Sequence, residues 1–149
     1  MNIRLLDFDV KEDERGSLIA LEGTKEIPFE IRRIYYIFGA SDQVRRGDHA
    51  HKELQQILIA LAGSCTVSVT DGCTKEEIPL PSRTQGLFIG RMVWRELHDF
   101  SPDCVLLVLA SDYYNKNDYI SSYEDFLKMV EKRGDHHQQT CCDPNGSDR

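Results

Sequence analysis

The segment RRGDHAHKELQQ, from Arg45 to Gln56, holds the densest chemistry in the chain: two arginines and a glycine lead into His49 and His51. On a β-strand, residues two apart point to the same face, so the imidazoles are expected about 7 Å apart along one wall. Paired histidines serve either as metal ligands or as proton carriers, and two alone make a poor site for iron, manganese or zinc. An unperturbed pKa of about 6.5 suits imidazole to both giving and taking protons near neutrality. A merely structural pair of exposed strand histidines is the plain alternative. Arg32, Arg33, Arg45 and Arg46, with Arg15 further off, form a cluster of the kind a phosphorylated ligand would need in a chain of this net charge.

The elements that must position these groups are mostly short strands. Ile31–Phe38 (IRRIYYIF) is β-branched and aromatic, and Gln55–Ala62 is a nearly continuous apolar run. Cys65, Val67 and Val69 alternate with polar residues up to a turn at Asp71-Gly72. Gly86–Gly90 and Cys104–Ser111 add two strands, LIAL near the start another, and Glu77–Ser82 one confined to an edge by its prolines. About eight to ten such strands at this spacing predict a sandwich or barrel. Ile120, Tyr123, Phe126, Leu127 and Val130 recur with helical period, predicting a C-terminal helix with Asp118 as N-cap and Gly134 as stop. The expected class is all-β with one terminal helix, a single domain over 1–134. Beyond it, residues 135–149 lack any aliphatic or aromatic side chain and are expected to be a disordered tail, although Asp135, His136, His137, Cys141 and Cys142 within it are metal-binding types.

Composition narrows the function. With 149 residues, 40% hydrophobic and 29% charged, the chain is an ordinary globular one, large enough to bury a core without staples. A net charge of −7 disfavours nucleic acid and anionic lipid as partners. No run approaches the roughly 20 apolar residues of a membrane span, and the charged N-terminal segment is unlike a signal peptide, so a cytoplasmic address is expected. Five cysteines without CxxC spacing build neither a disulfide framework nor a zinc ribbon.

Gly47-x-His49-x-His51, Gln56 and Gly63 have the frame of the first cupin motif, GxHxH…E…G, and the second motif would lie in GRMVWRELHDF. Gln56 stands in place of the carboxylate ligand and Arg95 in place of the ligand histidine; a guanidinium stays protonated and repels a metal. With ERGSLIALE, IPFEIRRIYYIF, LAGSCTV, VWRELHDFSPDCVLLVLASDYY and DYISSYEDF, the chain closely resembles the dTDP-4-keto-6-deoxyglucose 3,4-ketoisomerases, over roughly residues 4 to 130. RGxHAHK followed by HDFSPDC and VLASDYY carries most of the specificity.

The resemblance implies a cupin jelly roll, a homodimer, a dTDP-4-keto-6-deoxyglucose substrate, no metal and no redox cofactor, in deoxysugar biosynthesis leading to a 3-amino-3,6-dideoxyhexose. It further implies migration of the ketone from C4 to C3 through an enediolate. In that chemistry His49 is expected to be the carbon acid/base, His51 to serve the oxygens, and Tyr36 to donate to the enediolate. The five arginines are expected to bind the diphosphate, Trp94 to stack on thymine, and His98 and Asp99 to orient the pocket or cap a turn. The N-terminal strand Ile3–Phe8 is the candidate interface strand of a dimer. Arg95 departs from the family pattern and, if it points inward, is expected to alter substrate preference. The rival readings are a dTDP-sugar 3,5-epimerase, which would use a His–Asp dyad with a tyrosine acid on the opposite face, and a non-catalytic sugar-nucleotide-binding cupin, which needs no imidazole pair. A metal-dependent cupin oxygenase is disfavoured by Gln56 and Arg95.

Overall fold

The structure, a computed structural model, describes residues 1–80 and 82–134; the tail expected at 135–149, with its metal-binding residue types, lies outside them. Among the described residues twelve strands, one short 3-10 helix and one α-helix follow in chain order: β1 (Ile3–Asp7), β2 (Lys11–Asp13), β3 (Gly16–Leu18), β4 (Arg33–Phe38), β5 (Arg46–His51), β6 (Gln56–Ala62), β7 (Cys65–Thr70), β8 (Lys75–Leu80), β9 (Gln85–Ile89), β10 (Trp94–His98), β11 (Val105–Ala110), the 3-10 turn Lys116–Asp118, β12 (Tyr119–Ile120) and α1 (Tyr123–Gly134). Two antiparallel five-stranded sheets face each other, β1-β9-β6-β11-β4 and β12-β5-β10-β7-β8, with β2 and β3 as a separate hairpin. This is the expected jelly-roll sandwich with a C-terminal helix.

The long apolar runs follow from burial on both faces. Leu58 and Ala60 of β6 point between the sheets and pack with Val67, Val69, Leu87, Leu106 and Val108. Their neighbours Ile57 and Ile59 point the other way, into a second cluster with Phe8, Ile27, Phe29 and Leu109. A strand covered on both sides has no polar face to alternate. β8 lies at a sheet edge, as its proline requires.

Alternation also fixes the facing of the site strands. Arg95 and Leu97 of β10 are inward, so Trp94, Glu96 and His98 are outward. On β4, Tyr35 pairs with the core residue Val108, and Ile37 packs against the core, so Ile34, Tyr36 and Phe38 face out.

Two expectations change here. The helix starts at Tyr123, with Ser122 accepting the Asp125 N–H on its hydroxyl and the Phe126 N–H on its carbonyl; Asp118 is therefore not its N-cap. LIAL contributes only Leu18 to a strand. β1, the candidate exchanged or interface strand, pairs along its length with β9 and lies at the edge of the first sheet.

Candidate active site

The site is built around an irregularity in β5. Arg95 pairs with His49 and Glu96 with Gly47, leaving Asp48 as an extra residue, a β-bulge. Gly47 has φ +91° and Asp48 φ +52°, and a Cβ at Gly47 would stand 2.8 Å from the Arg95 carbonyl oxygen, so only glycine fits there. The bulge re-aims His49, and the two rings converge instead of standing about 7 Å apart. Their centroids are 4.7 Å apart, nearly perpendicular, with Nε2 to Nε2 3.1 Å. His49 donates Nδ1–H to the Gly47 carbonyl at 2.9 Å, and His51 donates Nδ1–H to Asp118 Oδ2 at 3.1 Å. Tyr119 packs on both rings.

The histidines border different spaces. His49 lines a cavity of 420 Å³ between the sheets, with Tyr35, Arg46, Gln56 and Arg95. His51, wholly buried, borders an adjoining cavity of 490 Å³ with Arg32 and Asp118. Arg33 and Tyr119 border both, so the two spaces adjoin along them.

Arg95 points into the lumen and is buried. It donates from Nη1 to Gln56 Oε1 at 2.5 Å and from Nη2 to the Val93 carbonyl at 2.8 Å, while its Nε has no partner. Gln56 in turn donates to the Tyr35 hydroxyl at 3.0 Å. The two places where a cupin holds further ligands are thus filled by an amide bonded to a guanidinium, a donor set that does not fit a metal. Burial pulls Arg95 down to about 10, still charged near neutrality. The same desolvation, followed by the Arg95 charge, lowers His49 below the ordinary imidazole range and His51 to about 2. Desolvation raises the Tyr35 phenol, so it stays protonated; accepting from Gln56 leaves its own hydrogen to donate.

Several expected site residues lie elsewhere. Tyr36 is 62% exposed and stacks on Phe38 outside the barrel; Tyr35 is the inward tyrosine. Trp94 is buried on the outer face of β10 beneath α1, against Tyr123 and Phe126, and cannot stack on a base. His98 and Asp99 bond each other, with Ser68 and Glu77 joining His98, on that outer face and away from both cavities. Arg15, at the tip of the β2–β3 hairpin, is held by Asp13, and Arg45 pairs with Glu96; neither lines a cavity. Arg32, Arg33 and Arg46 do. Sequence reasoning missed Tyr35, Asp118 and Tyr119. The signal for Tyr35 was its alternation with Arg33, and for Asp118 its place after a long separation, which no spacing rule reads.

A jelly roll with a GxHxH strand facing its lumen defines a cupin, here one whose lumen holds a buried guanidinium. The model of the family described as WxcM-like, C-terminal matches residues 1–141, and the chain belongs to this family of sugar 3,4-ketoisomerases. It is 50% identical over 132 residues, 89% of this chain and 95% of the other, to a TDP-4-oxo-6-deoxy-alpha-D-glucose-3,4-oxoisomerase of Aneurinibacillus thermoaerophilus. Among solved structures, a 3,4-ketoisomerase from Helicobacter canadensis is 54% identical with a TM-score of 0.86, covering 88% of this chain and 98% of that one. A histidine-to-asparagine mutant of the 3,4-ketoisomerase QdtA from Thermoanaerobacterium thermosaccharolyticum, in complex with TDP-4-keto-6-deoxyglucose, is 42% identical with a TM-score of 0.86, covering 89% and 96%.

Proposed function

We propose that the protein is a dTDP-4-keto-6-deoxyglucose 3,4-ketoisomerase, with the sugar in the 420 Å³ lumen against His49. The observation that carries this reading is the imidazole of His49 with the Tyr35 hydroxyl and the buried Arg95 cation around one cavity. The neutral His49 removes the proton on C3, the electron pair moves into the enediolate, the O3 hydroxyl proton passes to O4, and the same ring returns a proton to C4 as the C3 carbonyl forms. Tyr35, in place of the expected Tyr36, donates to the developing oxyanion, and Arg95 lies close enough to stabilise its charge. Arg33 and Arg46 at the rim suit the diphosphate, with Arg32 reaching it from the adjoining cavity. The relatives' names favour ketone migration over 3,5-epimerisation or binding alone.

The test is proton NMR of dTDP-4-keto-6-deoxyglucose in D₂O with metal-free protein. A 3-keto product with deuterium at C4, absent with His49→Asn, supports the assignment, and the same spectrum gives the C4 configuration. Exchange at C3 and C5 without migration would mean an epimerase, and an unchanged sugar would overturn an enzymatic role.

We further infer a homodimer. Ile34, Tyr36 and Phe38 on β4, 60%, 62% and 69% exposed, lie beside Leu61 on the outer face of the first sheet, a contiguous apolar strip that water disfavours. A cytoplasmic location agrees with the absence, among the described residues, of any helix long and apolar enough to cross a membrane, and cell fractionation tests it.

A further inference from the structure

The hydrogen bonds around His49 and His51 leave a proton unaccounted for. Each ring spends its Nδ1–H, on the Gly47 carbonyl and on Asp118. In the neutral state both Nε2 atoms are then lone pairs, and they face each other at 3.1 Å. Two acceptors at that distance make no hydrogen bond, whereas a single proton between them makes one. The alternative tautomers are blocked on both sides. Turning His49 over would set a ring lone pair against the Gly47 oxygen. Turning His51 over would set one against Asp118, whose Oδ1 accepts the Glu53 N–H at 2.8 Å and whose Oδ2 accepts the Leu54 N–H at 3.2 Å. A carboxylate already receiving two backbone donors is an acceptor toward the ring as well.

We propose that Asp118 is a positioning residue that holds His51 as the Nδ1–H tautomer, so that His51 Nε2 accepts a hydrogen bond from the proton His49 takes off the sugar carbon. The C3–H bond breaks, its electron pair enters the C3–C4 enediolate, and the proton lands on His49 Nε2, where it bridges to His51 Nε2. The O3 hydroxyl proton passes to O4, His49 delivers its proton to C4 and the electron pair settles in the C3 carbonyl, so the isomerisation needs no oxidant or reductant. His51 therefore acts behind the base, wholly buried and bordering the adjoining cavity where His49 borders the lumen. The facing charges are Arg95, which disfavours a cation on both rings, Arg33, which disfavours one on His51, Asp48, which favours one on His49, and Asp118, bonded to His51; Tyr35 and Tyr119 complete the wall. The bridge formed on protonation offsets part of what burial costs. Asp118 is placed for this by β12, whose Tyr119 and Ile120 pair with His51 and Ala50, and by its own carbonyl, which accepts the Lys52 N–H at 3.0 Å.

The kinetic arm rests on the ketoisomerase reading; the tautomer does not. Full-length protein labelled with ¹⁵N-histidine, free of ligand near neutrality, is expected to show both histidines protonated at Nδ1 and bare at Nε2. A His51 protonated at Nε2 would overturn the proposal. In Asp118→Asn the amide oxygen keeps the shorter backbone bond, from the Glu53 N–H, and the amide nitrogen takes the place of Oδ2, gives up the longer bond from the Leu54 N–H and donates to His51 Nδ1, switching the ring to Nε2–H, which then ties up the His49 lone pair. The expected result is a switched His51 signal with kcat reduced between about 10-fold and 10⁴-fold and KM little changed. A switched tautomer with unchanged kcat, or lost kcat with the tautomer unswitched, overturns it. Should the Asn variant fail to fold, the wild-type spectrum decides. Wild-type protein that does not isomerise the sugar would refute the function while leaving the tautomer test standing.

Discussion

At the residue scale, the chemistry turns on how far burial and Arg95 depress the imidazoles. The base works in its neutral form, and a lowered pKa lets that form persist to more acid pH. The acid limb of kcat/KM is therefore expected below the ordinary imidazole value of about 6.5, and Arg95→Gln, which removes the repelling charge, is expected to move it upward. A pH–rate profile of the two proteins checks both. Stability carries the same sign. His51 is lowered in the fold to about 2, so the unfolded chain binds the extra proton first as the pH falls. Stability is whole above about pH 6.5 and drains away below it. Thermal melts from pH 7 to pH 5 are expected to fall more steeply for the wild type than for His51→Asn.

At the element scale, strand parity decides which aromatic side chain faces the lumen. Tyr35→Phe removes the lumen hydroxyl bonded to Gln56 and is expected to lower kcat about 10²-fold or more, as loss of an oxyanion donor does. Tyr36→Phe, on the opposite face, is expected to leave kcat nearly unchanged, and steady-state kinetics separate the two. The bulge in β5 is equally exacting: Gly47→Ala meets both a positive φ and the Arg95 carbonyl, so a cost of about 1–3 kcal/mol in stability is expected, measured by urea unfolding. Helix α1 contributes differently. Phe126 is fully buried beside Trp94, the chain's one tryptophan. Phe126→Ala is expected to destabilise the protein by about 3–5 kcal/mol and to shift Trp94 fluorescence to the red.

At the scale of the whole molecule, the two faces of each sheet have different fates. The inner faces make the core and end in the catalytic lumen; the outer face of the first sheet is capped by Ile27 and Phe29 at one end and left bare at Ile34, Phe38 and Leu61. Covering this strip by a second copy is the simplest way to remove it from water. Ile34→Arg together with Phe38→Arg is expected to convert the dimer to monomer in sedimentation velocity, with the far-ultraviolet circular dichroism retained. A wild-type monomer would refute the homodimer.

How much of this was legible beforehand depends on the range of the interaction concerned. Local pattern was enough for most strands, for the helical stripe and for the histidine pair, because period and propensity act between near neighbours. Motif order was enough for the family. Facing was not: on IRRIYYIF both parities are aromatic or apolar, so Tyr35 and Tyr36 look alike until β11 supplies Val108 as the inner partner. The convergence of the two rings needed a bulge, and a bulge exists only relative to the opposing strand β10. Asp118 reads locally as a helix cap, yet it sits 67 residues from the His51 it holds. The sequence by itself determined the class of fold, the family and the presence of the histidine pair on one strand. Which groups meet, on which face and in which tautomer, was decided by pairing between distant strands, since hydrogen bonds and burial are settled by neighbours in space.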